Sequence, residues 1–293
     1  MIQVSSPVFD EEVVLPRFGY LRPTTIEIAL KALSDYGPEA RILAGGTDLL
    51  VGMQEGAAAG PSIRYLIDIK RIPELRRIET RDGCLRIGAC VTVNELHEYK
   101  HLPEGMDALR EAASWLGTYQ VRNRATVGGN LCNASPACDL GPPLLVLDAH
   151  LRVLSPQGER AEPLKGFFAC SKQTCLARHD LVTEIVVPVA AGIASGAAKR
   201  TRIRGHDLAV VNAAAASSGG GVRVALGAVA PTPLLIHRLE GFGLGQRDEI
   251  LKIVRESISP IDDVRGSGRY RQYMTEMLVA SLLEKLMRKK GRT

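Results

Sequence analysis

Ala44-Gly45-Gly46-Thr47-Asp48-Leu49-Leu50 and, further along, Thr126-Val127-Gly128-Gly129-Asn130-Leu131-Cys132-Asn133-Ala134-Ser135-Pro136-Ala137-Cys138-Asp139 are the stretches on which the reading of this sequence turns. In both, paired glycines follow or flank a short apolar run. Arg41-Ile42-Leu43-Ala44 reads as a buried strand running straight into Gly45-Gly46. Adjacent glycines let backbone N–H groups approach a diphosphate with no Cβ in the way. Such groups build a concave anion site that needs no Lys or Arg. The hydroxyls of Thr47 and Thr126 and the Asn130 amide offer further donors. One glycine pair is as readily an ordinary tight turn. Two with matching neighbours suit a dinucleotide cofactor, which is long enough to need two cradles. The common phosphate motifs, GxGxxG after a strand and GxxxxGK[ST], are absent, which disfavours Rossmann and P-loop readings.

Outward from the glycine pairs, the pattern is mixed. Thr24 and Glu27 stand in the capping-box relation before the periodic Ile26, Leu30 and Leu33, and Gly37-Pro38 stops that helix. Strands follow at Tyr65 to Ile69, around Ile78 and at Cys84 to Ala89, with Asp82-Gly83 a hairpin turn between the last two. Helices cover Asn94 to Tyr99, Met106 to Leu116 and Leu140 to Leu147, and strand Leu151 to Leu154 turns at Pro156-Gln157-Gly158. The pattern weakens from Phe168 to Arg178, where a domain boundary is expected. Beyond it come strands Leu181 to Val187, Ala198 to Ile203, Leu208 to Ala215 and Val222 to Val229. The Gly219-Gly220-Gly221 run is the hairpin tip between the last two. Helices Arg247 to Ser257 and Arg269 to Lys289 close the chain. This order is that of an α+β protein.

The chain has 293 residues, long enough to bury about three quarters of its unfolded surface and to form about two domains. At 45% hydrophobic and 24% charged residues it is no disordered chain. Lys+Arg 37 against Asp+Glu 32 leaves +5, too dispersed to imply nucleic acid. The basic end, Arg288-Lys289-Lys290-Gly291-Arg292, reads as a solvated helix terminus whose cations suit the dipole. The start, Met1 to Pro7, lacks the basic and apolar regions of a signal peptide. No apolar run is long enough to span a bilayer, so a cytoplasmic location is expected. Six cysteines, with no CxxC pair and no ferredoxin run, suggest packing thiols in a reducing compartment.

The two signatures resemble the FAD-binding signatures of the medium flavoprotein subunit of molybdenum hydroxylases, the group of the xanthine and carbon monoxide dehydrogenases. The likeness spans essentially the whole chain. It includes Gln120-Val121-Arg122-Asn123 before the second signature, Asp207 to Val211, Gly227 to Pro233 and Pro260 to Ser267. It implies an α+β fold with a two-lobed PCMH-type FAD-binding domain over 1–175, its lobes about 1–60 and 61–175. A flavoprotein C-terminal domain of antiparallel sheet and helices would follow over 180–290. FAD is the implied cofactor. Its contacts would come from Ile42, Leu43, Ala44, Gly45, Gly46, Thr47, Asp48 and Leu49 in the first lobe. Thr126, Val127, Gly128, Gly129 and Asn130 would supply others, with Asp139 at the end of the second signature. Lys199, eight residues before Asp207, matches a family lysine that reaches the flavin. Leu116 and Val182 fall where the family packs apolar side chains near the cofactor, a placement that core packing accounts for equally well. Many relatives carry an aromatic just before the lysine, whereas here the stretch is Ser195-Gly196-Ala197-Ala198. Cys138-Asp139 runs directly into helix, so the cysteine-bearing loop that holds an extra [4Fe–4S] cluster in one branch is not expected.

The chain offers no relay of its own between a molybdenum centre and a flavin. The resemblance supplies one on partners: a [2Fe–2S] small subunit beside a molybdopterin-binding large subunit, in a dimer of heterotrimers, with NAD⁺ or another acceptor downstream. Two further readings are a free-standing FAD oxidoreductase of the same fold and a scaffold that lost its cofactor. A zinc metallopeptidase would rest on His97-Glu98-Tyr99-Lys100-His101, an HExxH match. Thr92 and Glu95 cap that helix and Pro103 ends it, leaving barely two turns, so a solvated helix end is expected instead.

Overall fold

A computed structural model describes residues 17–54, 63–203, 207–219, 221–239 and 241–290. Met1 to Pro7, Gly220, Gly291 and Arg292 lie outside these. The first unit opens with β1 (Gly19–Leu21), α1 (Ile26–Tyr36), β2 (Ala40–Leu43), α2 (Leu49–Gln54) and β3 (Tyr65–Asp68). Its three strands form a parallel sheet in the order β1-β3-β2. Helix α1 is capped by Thr25, one residue later than the expected Thr24, its Oγ1 accepting from the Ile28 N–H; Gly37 ends it with φ 48°. β3 lies between β1 and β2, so this sheet draws in a strand from beyond residue 60, the expected limit of the first lobe.

Next come β4 (Ile78–Arg81) and β5 (Cys84–Gly88), joined through Asp82 and Gly83, both at positive φ as a two-residue hairpin demands. α3 (Val93–Glu98), α4 (Asp107–Trp115), α5 (Tyr119–Arg122), α6 (Val127–Cys132) and α7 (Gly141–Val146) precede β6 (His150–Ser155) and β7 (Gly158–Pro163). A small hairpin, β8 (Phe168–Cys170) with β9 (Gln173–Thr174), leads to β10 (Leu181–Pro188). The second sheet runs β4-β5-β10-β6-β7, so β10 is its central strand. The domain boundary expected between 175 and 180 is therefore displaced: Leu181 to Val187 closes the first unit. A strand that is apolar on both faces carries no mark of which sheet it joins.

The second unit holds β11 (Ala194–Arg200), β12 (Val211–Ser218), β13 (Gly221–Gly227) and β14 (Leu234–Leu235), an antiparallel sheet in chain order, followed by α8 (Arg247–Ser257) and α9 (Gly268–Lys290). Ser218 faces Gly221 across the β12–β13 hairpin. On β12, Ala214 and Ala216 join the main core of the first unit, while Ala213 and Ala215 join the core under α8 and α9. This is strand alternation with both faces buried, and the alanines let helices α4 and α7 close on one side and α9 on the other. The expected solvated helix terminus also has a fixed partner: Lys289 Nζ, near the end of α9, donates to Asp107 Oδ2 of α4 at 2.5 Å and to the Ser195 carbonyl at 3.0 Å.

Candidate functional site

β2 delivers Ala44 and Gly45 to the carboxyl end of the parallel sheet, where ligands of open sheets commonly bind. Gly46 turns the chain with φ 79°. From Gly45 to Leu49 the backbone runs without committing its donors. Among the described residues, the amides of Gly45, Gly46, Thr47, Asp48 and Leu49 donate to no protein acceptor; the ladder resumes with Leu50 N–H to the Gly46 carbonyl at 3.1 Å and Gly52 N–H to the Asp48 carbonyl at 2.9 Å. The loop is half-buried apart from Asp48, which is exposed.

The second glycine pair is built differently. Thr126 is the N-cap of α6, and its Oγ1 accepts from Gly129 N–H at 3.0 Å. Val127 N–H donates to the Val91 carbonyl at 2.9 Å, Gly128 N–H to the Ala89 carbonyl at 3.0 Å and Asn130 N–H to the Thr126 carbonyl at 2.9 Å. Every amide from Val127 to Asn130 thus has a protein acceptor, unlike those from Gly45 to Leu49. Gly128 is needed for closeness: a Cβ there would stand 2.7 Å from the Ala89 Cβ and 2.8 Å from its carbonyl oxygen. Asn130 Oδ1 accepts from Leu140 N–H at 3.2 Å and from the Cys138 thiol at 3.0 Å. Burial pushes that thiol up to about 12, so it is a packing group.

The two signatures meet. A Cβ on Gly45 would lie 2.3 Å from the Arg124 carbonyl oxygen, just ahead of Thr126, so glycine permits the contact. Asn133 Nδ2, at the end of α6, donates to Asp48 Oδ1 at 2.8 Å. The turn before Thr126 is fixed by Asn94 of α3. Its amide donates to Asn123 Oδ1 at 2.7 Å, and its Oδ1 accepts from Arg122 Nε at 2.9 Å. Thr92 at the head of α3 bridges to Thr126. Nothing in the sequence pattern marks Asn94, since one polar residue in a short helix carries no periodicity. It also explains what the HExxH segment does. α3 has a full capping box from Thr92 and Glu95 and stops at Glu98, with Tyr99 extended, so His101 lies off the helix that bears His97. Among the described residues no cluster of ligands able to hold a metal ion is found.

A buried ion pair lies at the end of the second signature. Lys199 on β11 and Asp139 beyond α6 form an ion pair at 2.8 Å, with side chains only 4% and 8% exposed. Lys199 Nζ also donates to the Trp115 carbonyl at 3.4 Å. Asn212, opposite Lys199 in the β11–β12 ladder, donates to Asp139 Oδ1 at 3.2 Å and to the Cys138 carbonyl at 3.1 Å. Burial lifts the Asp139 carboxyl above its ordinary range, against the pull of Lys199 and Asn212. An ammonium has three donors, so one N–H of Lys199 is left over. The indole N–H of Trp115 is likewise buried with no partner. Leu116 and Val182 are buried members of the main core, as packing alone requires, and Ile42 and Leu43 belong to β2.

Two sequence profiles match the chain: an FAD binding domain in molybdopterin dehydrogenase over residues 16–190, and a CO dehydrogenase flavoprotein C-terminal domain over 197–286. The chain belongs to the flavoprotein family of the molybdopterin dehydrogenases. It is 32% identical over 285 residues to the carbon monoxide dehydrogenase medium chain of Hydrogenophaga pseudoflava, covering 92% of this chain and 97% of that one. The xanthine dehydrogenase FAD-binding subunit of Escherichia coli O157:H7 is 29% identical over 93% of this chain and 97% of its own length. Among solved structures, carbon monoxide dehydrogenase from Hydrogenophaga pseudoflava superposes with a TM-score of 0.85 at 33% identity, over 92% of this chain and 97% of that one. Members of the family are oxidoreductase subunits, and FAD is the cofactor. The two profiles part between 190 and 197, where β10 gives way to β11. Among the described residues no helix is long and apolar enough to cross a membrane.

Proposed function

We propose that this chain is the electron-transfer flavoprotein of a molybdopterin-dependent dehydrogenase complex. On this reading it takes electrons from a [2Fe–2S] subunit and passes them to NAD⁺ or another acceptor. The observation that carries the reading is the run of uncommitted amides from Gly45 to Leu49, facing the second signature across the Gly45–Arg124 contact. When bound, FAD supplies the exchange between one-electron and two-electron transfer, and the protein binds and tunes it.

The residues divide that work. The Gly45 to Leu49 amides receive the diphosphate and fix its place without a cationic side chain. Thr126, already accepting from Gly129, keeps its hydroxyl hydrogen to donate to the same group. Lys199, held against Asp139, would offer its remaining N–H to a bound flavin, where a cation favours the reduced, more negative form. Asp139 keeps that cation in place and offsets its charge in the resting state. The relatives named as subunits of larger dehydrogenases support a heterotrimeric setting with a molybdopterin-binding large subunit.

The test is native purification. The expected product is a yellow complex with about one FAD per copy of this chain, together with a larger and a smaller partner. A colourless chain, or a yellow one purifying alone with its own substrate turnover, contradicts the proposal; the second result would favour the free-standing oxidoreductase.

A further inference from the structure

Lys172 sits at the tip of the β8–β9 hairpin, in the stretch where the sequence pattern is weakest. Its backbone is left-handed, φ 62°, a conformation that disfavours any residue but glycine. Its N–H donates to the Ala134 carbonyl at 2.8 Å, which pins the hairpin to the end of α6. Its side chain then reaches both signatures at once. Nζ donates to Asn133 Oδ1 at 2.9 Å and stands 3.7 Å from Asp48 Oδ1, the same oxygen that accepts from Asn133 Nδ2.

An exposed ion pair at this distance adds little to folding stability, and the left-handed backbone opposes folding. Stability is therefore a poor account of Lys172. Asp48 offers a better one. It places a carboxylate on the loop whose amides, on that reading, would receive a diphosphate, and like charges there repel. A cation held beside Asp48 offsets that repulsion.

Resting on the reading of this cleft as the FAD site, we infer that Lys172 is a positioning residue, a latch that ties the first glycine loop to the second signature and neutralises Asp48 so that the loop accepts a diphosphate. The latch binds through other residues and takes no part in electron transfer.

FAD binding to the apo form of the full chain, followed by fluorescence quenching, tests it. Lys172→Gly is expected to weaken FAD binding about fivefold at low salt, the scale of one exposed charge interaction, while the apo protein melts no lower than the wild type. The defect narrows as salt screens Asp48. Lys172→Arg should bind as the wild type does, and Asp48→Asn combined with Lys172→Gly should recover most of the lost affinity. If Lys172→Gly binds FAD like the wild type at every salt concentration, the latch is wrong while the cleft assignment stands. A parallel fall in melting temperature, with no recovery in the double variant, would make Lys172 a structural residue and equally overturn the latch. If the wild type itself takes up no FAD, the cleft assignment falls, and the latch with it.

Discussion

The two glycine pairs look alike in sequence and do opposite things in the fold. At Gly45-Gly46 the chain leaves a parallel strand, and its amides stay uncommitted until the ladder resumes at Leu50. At Gly128-Gly129 the chain enters a helix capped by Thr126, and each amide from Val127 to Asn130 already has a partner. Gly45 and Gly128 both lack a Cβ because another backbone passes too close, but those backbones differ. Gly45 meets Arg124 and Ala125, just ahead of the second signature, whereas Gly128 meets Ala89 just past β5. The first loop is thus a cradle that the second signature walls in, and the second is a rigid wall. A glycine motif states that something comes near; only the hydrogen-bond account says whether that is ligand or protein.

The comparison makes different demands on different substitutions. The largest effect is expected on the wall side. Lys199→Met leaves the buried Asp139 unpaired, at a cost of about 3–5 kcal/mol in unfolding free energy. The sign with pH follows from the direction of the Asp139 shift. Its folded-state pKa lies above the unfolded value of 3.8, so the folded state bears the cost of the charge as pH rises past that value. Without Lys199 the shift grows, and the deficit of Lys199→Met in urea melts should shrink on acidification toward pH about 4. A deficit that does not depend on pH would mean that Asp139 is not the group left exposed to loss.

A smaller, paired effect sharpens the contrast between the glycines. Gly128→Ala presses a methyl into Ala89 and should cost about 2 kcal/mol of stability, while the folded fraction keeps its full flavin. Gly46→Ala, at φ 79°, should cost only about 1 kcal/mol, yet lose more FAD affinity than that figure alone implies, because the strain falls on the cradle. Thermal melts beside FAD titrations read both. The same ratio of affinity to stability loss at both positions would break the distinction.

Much of the architecture was legible in the sequence, and the reasons are local. The Asp82-Gly83 hairpin, the capping box of α3 and helices α8 and α9 each declare themselves within a few residues. β10 did not declare its sheet, because an apolar strand fits any buried position until its neighbours are known. The pairing of Asp139 with Lys199, side chains separated by sixty positions in sequence, needed the fold to become visible. Asn94 and Lys172 were silent for the same reason. Each works by reaching a distant segment, Asn94 to Asn123 and Arg122, Lys172 to Asn133 and Asp48.

Amide hydrogen exchange on the full chain, with and without FAD, tests the division between cradle and wall most directly. Val127 to Asn130 are expected to be protected already in the apo form and to change little, while Gly45 to Leu49 exchange freely and become protected when FAD is added. Protection gained at Val127 to Asn130, with Gly45 to Leu49 unchanged, would contradict it.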